Sequence, residues 1–289
     1  MRPTALLLLV FLLAASCNSF TSRTTRGVSA VGTETGADGL PRRIVHDETG
    51  IEFILVDAGE FTCGSTTTVM AENDEKPPHQ VIFSQPYYLA VKEVTVGQWR
   101  RYAGEDKVKQ GKVLVKPSWA AHTGWSDDYP AVNLTWNDAE AFCKSYGMEL
   151  PTESQWENAC RAGTTGHFCY GDDIYSLEEY AWYGNFDGNA DKGAHAVGLL
   201  KNNGWGFYDM HGNVWEWCRD VYAADTYAKL GTTVTDPTGP PEGLSRVVRG
   251  GSWFDAPKEM RSANRHQLST SFRDNKTGFR PVIPVKPAN

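Results

Sequence analysis

All ten tryptophans of the chain lie between Trp99 and Trp253, and much of that span carries neither a helical nor a strand period. From Thr164 to Trp217 glycine, asparagine, aspartate and aromatic residues mix freely. Such a stretch reads as long irregular loops held by side chains, with bound ions as a further tie. Each buried aromatic ring removes ~150–250 Å² from water, enough to build a core where regular structure is sparse. Core packing is therefore the expected role of any one tryptophan, and a sugar- or peptide-binding platform is the minority role. A few short elements must frame this chain, and aromatic loops must fill it.

The elements that do show a period are few. Ile51 to Val56 reads as a strand running into the turn Asp57-Ala58-Gly59, and His79 to Val94 as two strands broken at Pro86. Thr95 caps a short helix with Val96, Trp99 and Tyr102 at helical spacing. Thr135 caps a second, with Trp136, Ala139, Cys143 and Tyr146 on one face and Gly147 as its stop. Thr152 and Gln155 form a capping box for a third, which turns Trp156, Ala159 and Cys160 inward and ends at Gly163. Strands return at Arg246 to Phe254 and at Gly278 to Ile283. There is no internal repeat.

The N-terminus has a different character. Arg2 precedes an apolar run from Ala5 to Ala15, whose 11 residues fall short of the ~20 that a spanning helix needs. Residues 1–16 read as a secretory signal peptide. The small residues Ala14-Ala15-Ser16 before Cys17 resemble a lipobox, although Leu13 stands one place earlier than the usual leucine; ordinary cleavage after Ser16 is the competing reading. Residues 17–45, rich in Ser, Thr and Gly, then form a lipidated flexible tether. Residues 46–289 are left as one folding unit, because no second linker interrupts them. The expected location is the cell envelope, facing the periplasm or the cell surface, with the membrane engaged through the lipid anchor only.

Charge and cysteine usage exclude other classes. Lys and Arg number 28 against 35 Asp and Glu, a net charge of −7 with no basic tract, so nucleic acid is not an expected partner. Besides Cys17 there are Cys63, Cys143, Cys160, Cys169 and Cys218, an odd number in a compartment that permits disulfides. No two show the spacing of a structural zinc site, so they read as buried thiols or disulfide residues.

Four segments, in order, resemble the formylglycine-generating-enzyme (sulfatase-modifying factor) family: Pro130 to Ala139, Leu150 to Glu157, Gly204 to Trp217, and Arg249 to Trp253 with the later Gly278-Phe279-Arg280. The resemblance implies an α+β, C-type-lectin-like fold with low regular secondary structure, long aromatic loops and bound calcium. It places calcium at Asp209, Gly212, Val214 and Glu216, a set of carboxylates and backbone carbonyls that suits a hard ion. The competing reading is that Asp209 and Glu216 satisfy loop amides without an ion. A second family site would fall near Asn185, Asp187 and Asp191, in a DGNAD run that reads equally as a plain turn.

The oxidases of the family hold copper through two cysteines just after the Gly-Gly-Ser motif, because paired thiolates favour Cu(I). Here Asp255 stands where the first belongs, and no cysteine follows Cys218. Copper-oxidase activity is not expected. Ser252, Asp255 and Trp215 match the active-site surroundings and are the catalytic candidates, with structural roles as the competing reading. The family's partners for Cys143 and Cys160 are absent too, which leaves buried thiols or a pairing of one of them with Cys218. Iron-dependent relatives use an HxxxH-type element on a separate domain, and none of the seven histidines has a partner four residues away. His211, inside the best-matched motif, reads as a hydrogen-bonded loop residue before a ligand or acid/base. Two functions follow: a catalytically silent envelope module that takes a peptide, protein or glycan in a surface groove, or an oxidase converting a sulfatase cysteine to formylglycine through a non-standard metal site with Asp255.

Overall fold

The computed structural model describes residues 27–109, 116–121, 124–184, 188–190 and 192–287. The segment read as a signal peptide, Cys17, and Asn185, Asp187 and Asp191, near which the resemblance would place a second calcium site, lie outside the described residues.

In chain order the strands begin with β1 (Val28–Ala30), β2 (Arg43–His46), β3 (Glu52–Val56), β4 (Gly59–Cys63), β5 (His79–Phe83) and β6 (Tyr87–Ala90). The helices α1 (Val96–Lys109), α2 (Trp136–Ser145) and α3 (Glu153–Arg161) follow, then β7 (Ala181–Trp182), β8 (His211–Gly212) and β9 (Trp215–Val221). The short α4 (Thr226–Lys229) precedes β10 (Thr233–Thr235), β11 (Ser245–Arg249), β12 (His266–Ser269), β13 (Thr277–Gly278) and β14 (Val282–Pro284).

An antiparallel sheet in the order β1-β2-β3-β6-β14 divides the core. Phe53, Leu55, Tyr88 and Ala90 face one cluster, where Trp99 and Tyr102 of α1 and Phe142 of α2 pack with Phe279. Ile54, Val56, Tyr87 and Leu89 face the other, with Trp156 and Cys160 of α3, Met210, Cys218 and Val247. Burial on both faces is why IEFILV shows so little alternation. The β10-β5-β4 sheet completes the second side, while β12-β11-β9-β13 supplies Trp215, Trp217 and Val248 to the first cluster and Cys218 and Val247 to the second.

All three long helices start on the expected caps. Thr95 and Gln98 exchange hydrogen bonds of 3.2 and 2.9 Å across the first turn of α1. Thr135 with Asp138, and Thr152 with Gln155, make capping boxes. α3 ends in a left-handed Ala162 (φ 48°) followed by Gly163 (φ 86°), as its Gly stop requires.

Four expectations need correction. Part of the segment read as tether is paired: β1 and β2 extend the main sheet, and Leu40 is buried. The strand expected from Arg246 to Phe254 ends at Arg249, because Gly250 (φ 99°) and Gly251 (φ 78°) turn the chain out of the sheet. The strand expected from Gly278 to Ile283 is two strands in different sheets, interrupted where Arg280 dives into the core. Trp215 to Trp217 begin a seven-residue strand, not the end of a loop. The loops before it are held by side chains as expected: Asn203 accepts from the amides of Trp205 and Phe207 (both 3.1 Å) and donates to the carbonyl of Ala159 (2.7 Å).

Candidate functional site

β9 and the turn after β11 bring the three catalytic candidates together. Gly251 has φ 78°, a left-handed conformation that L side chains rarely adopt, and an added Cβ would lie 3.0 Å from the Glu259 carbonyl oxygen, so glycine favours the turn that sets Ser252 beside Trp215. The Ser252 hydroxyl donates to Asp255 Oδ2, and Trp215 Nε1 donates to the same oxygen at 2.8 Å. Ser252 is wholly buried and Trp215 nearly so, while Asp255 is half-buried. Asp255 Oδ1 accepts nothing from the described residues and stays available to a ligand. Around it lie Phe254, 60 % exposed, Trp253 at 5.6 Å between centroids, and His266, whose ring tilts against Trp215 at 5.2 Å. Lys276 sits over the Phe254 ring. The result is an aromatic surface with one fixed carboxylate and the Lys276 ammonium at its edge.

Copper does not fit this place. Asp255 is a hard oxygen donor already committed to a hydroxyl and an indole N–H. The Met260 thioether is fully buried in an apolar cluster with Phe168, Leu177 and Ala181.

The second set, Asp209 to Glu216, forms a tight loop with left-handed Asp209 (φ 56°), Gly212 (φ 88°) and Asn213 (φ 60°). Gly212 is obligatory, since an added Cβ would lie 2.3 Å from the Trp182 carbonyl oxygen. Glu216 is fully buried and already partnered: Arg280 binds it through two hydrogen bonds of 2.6 Å, and Trp156 Nε1 donates at 2.9 Å. Val214 is packed in a small apolar cluster. Asp209 Oδ2 accepts from the Gly198 amide at 2.7 Å, and its other oxygen has no partner among the described residues.

Sequence reasoning missed the residue that completes this set. Glu93, between β6 and α1, is 1 % exposed; its Oε2 accepts from Asn213 at 2.9 Å and its Oε1 has no partner. Burial pushes the Glu93 carboxyl far above the usual carboxylate range, and Asp209 and Glu216 add to the rise. Burial likewise pushes Asp209 up to about 6, against the pull of the Gly198 amide and Arg280. Glu93, Asp209 and Glu216 thus crowd around one guanidinium in a buried site, where Glu93 and Asp209 tend to keep a proton that a divalent cation would displace. Among the described residues no three His, Cys, Asp or Glu side chains converge enough to hold a metal by themselves, so such an ion would need the backbone carbonyls of the Gly212 to Val214 turn as well.

The remaining candidates are structural. His211 Nδ1 donates to the Met260 carbonyl (2.7 Å) while Nε2 accepts from the Cys169 amide (3.1 Å), so both ring nitrogens are used. Cys63, Cys143, Cys160, Cys169 and Cys218 are all free and buried. Burial pushes the Cys160 thiol up to about 12 and Cys63, Cys143 and Cys218 well above the ordinary range, so none of these four is a ready thiolate.

Fold and site together define an α+β domain of low regular structure whose chemistry sits on loops at the ends of short strands. The profile of the sulfatase-modifying factor enzyme 1-like domain matches residues 42–285, and the chain belongs to that family. It is 32 % identical to the serine/threonine-protein kinase pkn1 of Chlamydia pneumoniae over 79 % of its own length and 37 % of that protein. It is 30 % identical to the formylglycine-generating enzyme of Bos taurus over 73 % of its length and 54 % of the enzyme. The chain therefore spans between about a third and about half of these relatives. Among solved structures, PvdO from Pseudomonas aeruginosa superposes with a TM-score of 0.68 at 28 % identity, covering 82 % of this chain and 95 % of that one.

Proposed function

We propose that this chain is a non-oxidising member of its family, a binding module that takes a peptide, protein or glycan segment on the Trp215, Asp255 and Phe254 surface. The observation that carries the reading is the chemistry at Asp255: a hard carboxylate, fixed by Ser252 and Trp215, with one oxygen free and an exposed aromatic ring beside it. A carboxylate framed by aromatic rings recognises donors and cations on a ligand and serves poorly as a cradle for Cu(I). The similarity supports this breadth, because the chain resembles part of a protein named as a serine/threonine-protein kinase and part of one named as a formylglycine-generating enzyme.

Calcium belongs to this reading as a structural ion. Asp209 and Glu93 would supply side-chain oxygen and the Gly212 and Val214 carbonyls the rest, beside a Glu216 already held by Arg280. Bound there, calcium neutralises buried charge and fixes the loop that leads into Trp215. It stands apart from Asp255 and takes no part in ligand chemistry.

The test uses a cysteine-containing sulfatase peptide. Purified protein with copper under reducing conditions is expected to leave the thiol unchanged by mass spectrometry, while the peptide or an envelope glycan perturbs tryptophan fluorescence in a way that Asp255→Ala abolishes. Aldehyde formation on the peptide would overturn the reading in favour of an oxidase with a non-standard metal site. Fluorescence responses identical in Asp255→Ala and wild type would remove Asp255 from it.

A further inference from the structure

A second cavity, of about 800 Å³, opens between the N-terminus of α3, the end of β9, α4 and the loop after β10. Its size lies in the ordinary range for ligand sites. It rests on different residues from the Asp255 surface: Trp215 begins β9, whereas Asp220 stands near the other end of that strand.

The polar lining is unusual in what it leaves unsatisfied. Asp220 is 3 % exposed, and its carboxylate accepts a single hydrogen bond, from the Glu153 amide at 3.0 Å through Oδ2. Oδ1 has no partner among the described residues. Ser154, 5 % exposed, also lines the cavity, and its hydroxyl makes no hydrogen bond among the described residues. The neighbouring Glu153 is not free in this way, because Arg265 engages both its oxygens at 2.7 and 2.9 Å. Gly239 presses the loop after β10 onto Asp220, with an added Cβ only 3.0 Å from the Asp220 Cβ. Burial, then the charge of Glu153, pushes Asp220 up to about 7 despite the Glu153 amide, Arg219 and Arg265. A buried carboxylate with a vacant oxygen lacks its own cation.

The walls and the rim specify what would fill it. Leu230, Val234, Pro237 and Pro240 give an apolar lining, suited to an aliphatic stem. At the rim Lys229 is paired with Asp225, while Glu242, and Asp236 with its oxygens hydrogen-bonded to the Ser84 amide and hydroxyl, carry negative charge with no ion pair among the described residues. A ligand that is apolar along its length and cationic at its tip matches stem to wall and charge to floor.

We propose that this cavity binds an alkylammonium or alkylguanidinium group, of the kind a lysine or arginine side chain carries, with the cation on Asp220 Oδ1, a hydrogen bond to Ser154 Oγ and the stem along Leu230 and Val234. The site is separate from the Asp255 surface and does not depend on the reading given to it.

Calorimetric titration tests it with Nα-acetyl-lysine N-methylamide, the uncharged norleucine analogue, and cadaverine. The lysine derivative is expected to bind the intact protein at least about tenfold more tightly than the norleucine derivative, the usual size of one charge-assisted contact. Asp220→Asn should erase that preference, and Ser154→Ala should reduce it several-fold, while Asp255→Ala leaves it unchanged. Cadaverine binding as well as the lysine derivative identifies free amines as a source; a preference for the lysine derivative identifies a polypeptide side chain. Should Asp220→Asn fail to fold, the lysine-to-norleucine ratio on the unmodified protein still decides. Equal affinity for lysine and norleucine, a preference retained in folded Asp220→Asn, or no saturable binding of either cation at millimolar concentration overturns the proposal.

Discussion

The molecule buries acidic side chains in two ways, and the α3 face and the Glu93 loop show the difference. On α3, Glu157 is fully buried and meets Arg161, Arg249 and the Gly64 amide. Burial alone would raise its carboxyl, but the guanidinium groups outweigh it and the group ends below its ordinary value. Glu75 with Arg261, Glu153 with Arg265 and Glu216 with Arg280 are likewise buried ion pairs. Glu93, Asp209 and Asp220 are as deeply buried and receive no arginine of their own, and all three rise. Desolvation is costly for every one of them, so the difference lies in whether the fold itself supplies the cation. Where it does, the carboxylate is architecture; where it does not, the site is built for a proton or a cation from outside.

The largest effect should come from breaking the paired side. Arg249→Ala leaves Glu157 and Glu153 short of a partner in the core and is expected to cost about 3–5 kcal/mol in urea unfolding. The exposed Glu140 and Lys144 pair is the control, since Lys144→Ala should cost under about 0.5 kcal/mol. If the two losses were alike, buried pairing would not be what separates the regions.

Calcium sharpens the unpaired side. At free calcium near a hundredfold its dissociation constant, stabilisation by about 2.7 kcal/mol is expected as a rise in melting temperature reversed by chelator. Glu93→Gln should weaken that response. A melting temperature indifferent to calcium and chelator would leave Glu93 and Asp209 as proton-holding groups only.

A smaller effect follows from pH. Asp220 near 7 in the folded chain, against ~3.9 unfolded, means that the folded state keeps a proton the unfolded state has released. Its stabilising contribution is complete below the unfolded value and is lost as pH rises through the folded one. Asp209, near 6, acts in the same direction. Between pH 5 and 7 Asp220 alone should cost about 2 kcal/mol of unfolding free energy. Asp220→Asn should flatten that slope, and a slope unchanged in the variant would mean that Asp220 titrates as an ordinary exposed acid.

Much of the frame was legible before any coordinate. Thr135, Thr152 and Gln155 announced their helices because capping is a local bargain between a side chain and the next turn. The turn at Gly250-Gly251 was not legible in the same way: the apolar run suggested a strand through to Phe254, and only the positive φ of both glycines shows where the chain leaves the sheet. Glu93 was invisible, because nothing within its own segment says that Asn213, 120 residues away, will donate to it. Arg280 was visible as a motif residue but not as the plug of Glu216, 64 residues earlier.

The sequence by itself determined the family, the helix starts, the absence of a thiol pair after Cys218 and the presence of Asp255 beside the Gly-Gly-Ser turn, since each is carried by residues close along the chain. Only the tertiary structure decided which buried acids have an arginine and which do not. That choice is made by side chains converging from distant segments into a medium of low polarity, where a few ångströms separate a neutralised charge from one that waits for a partner.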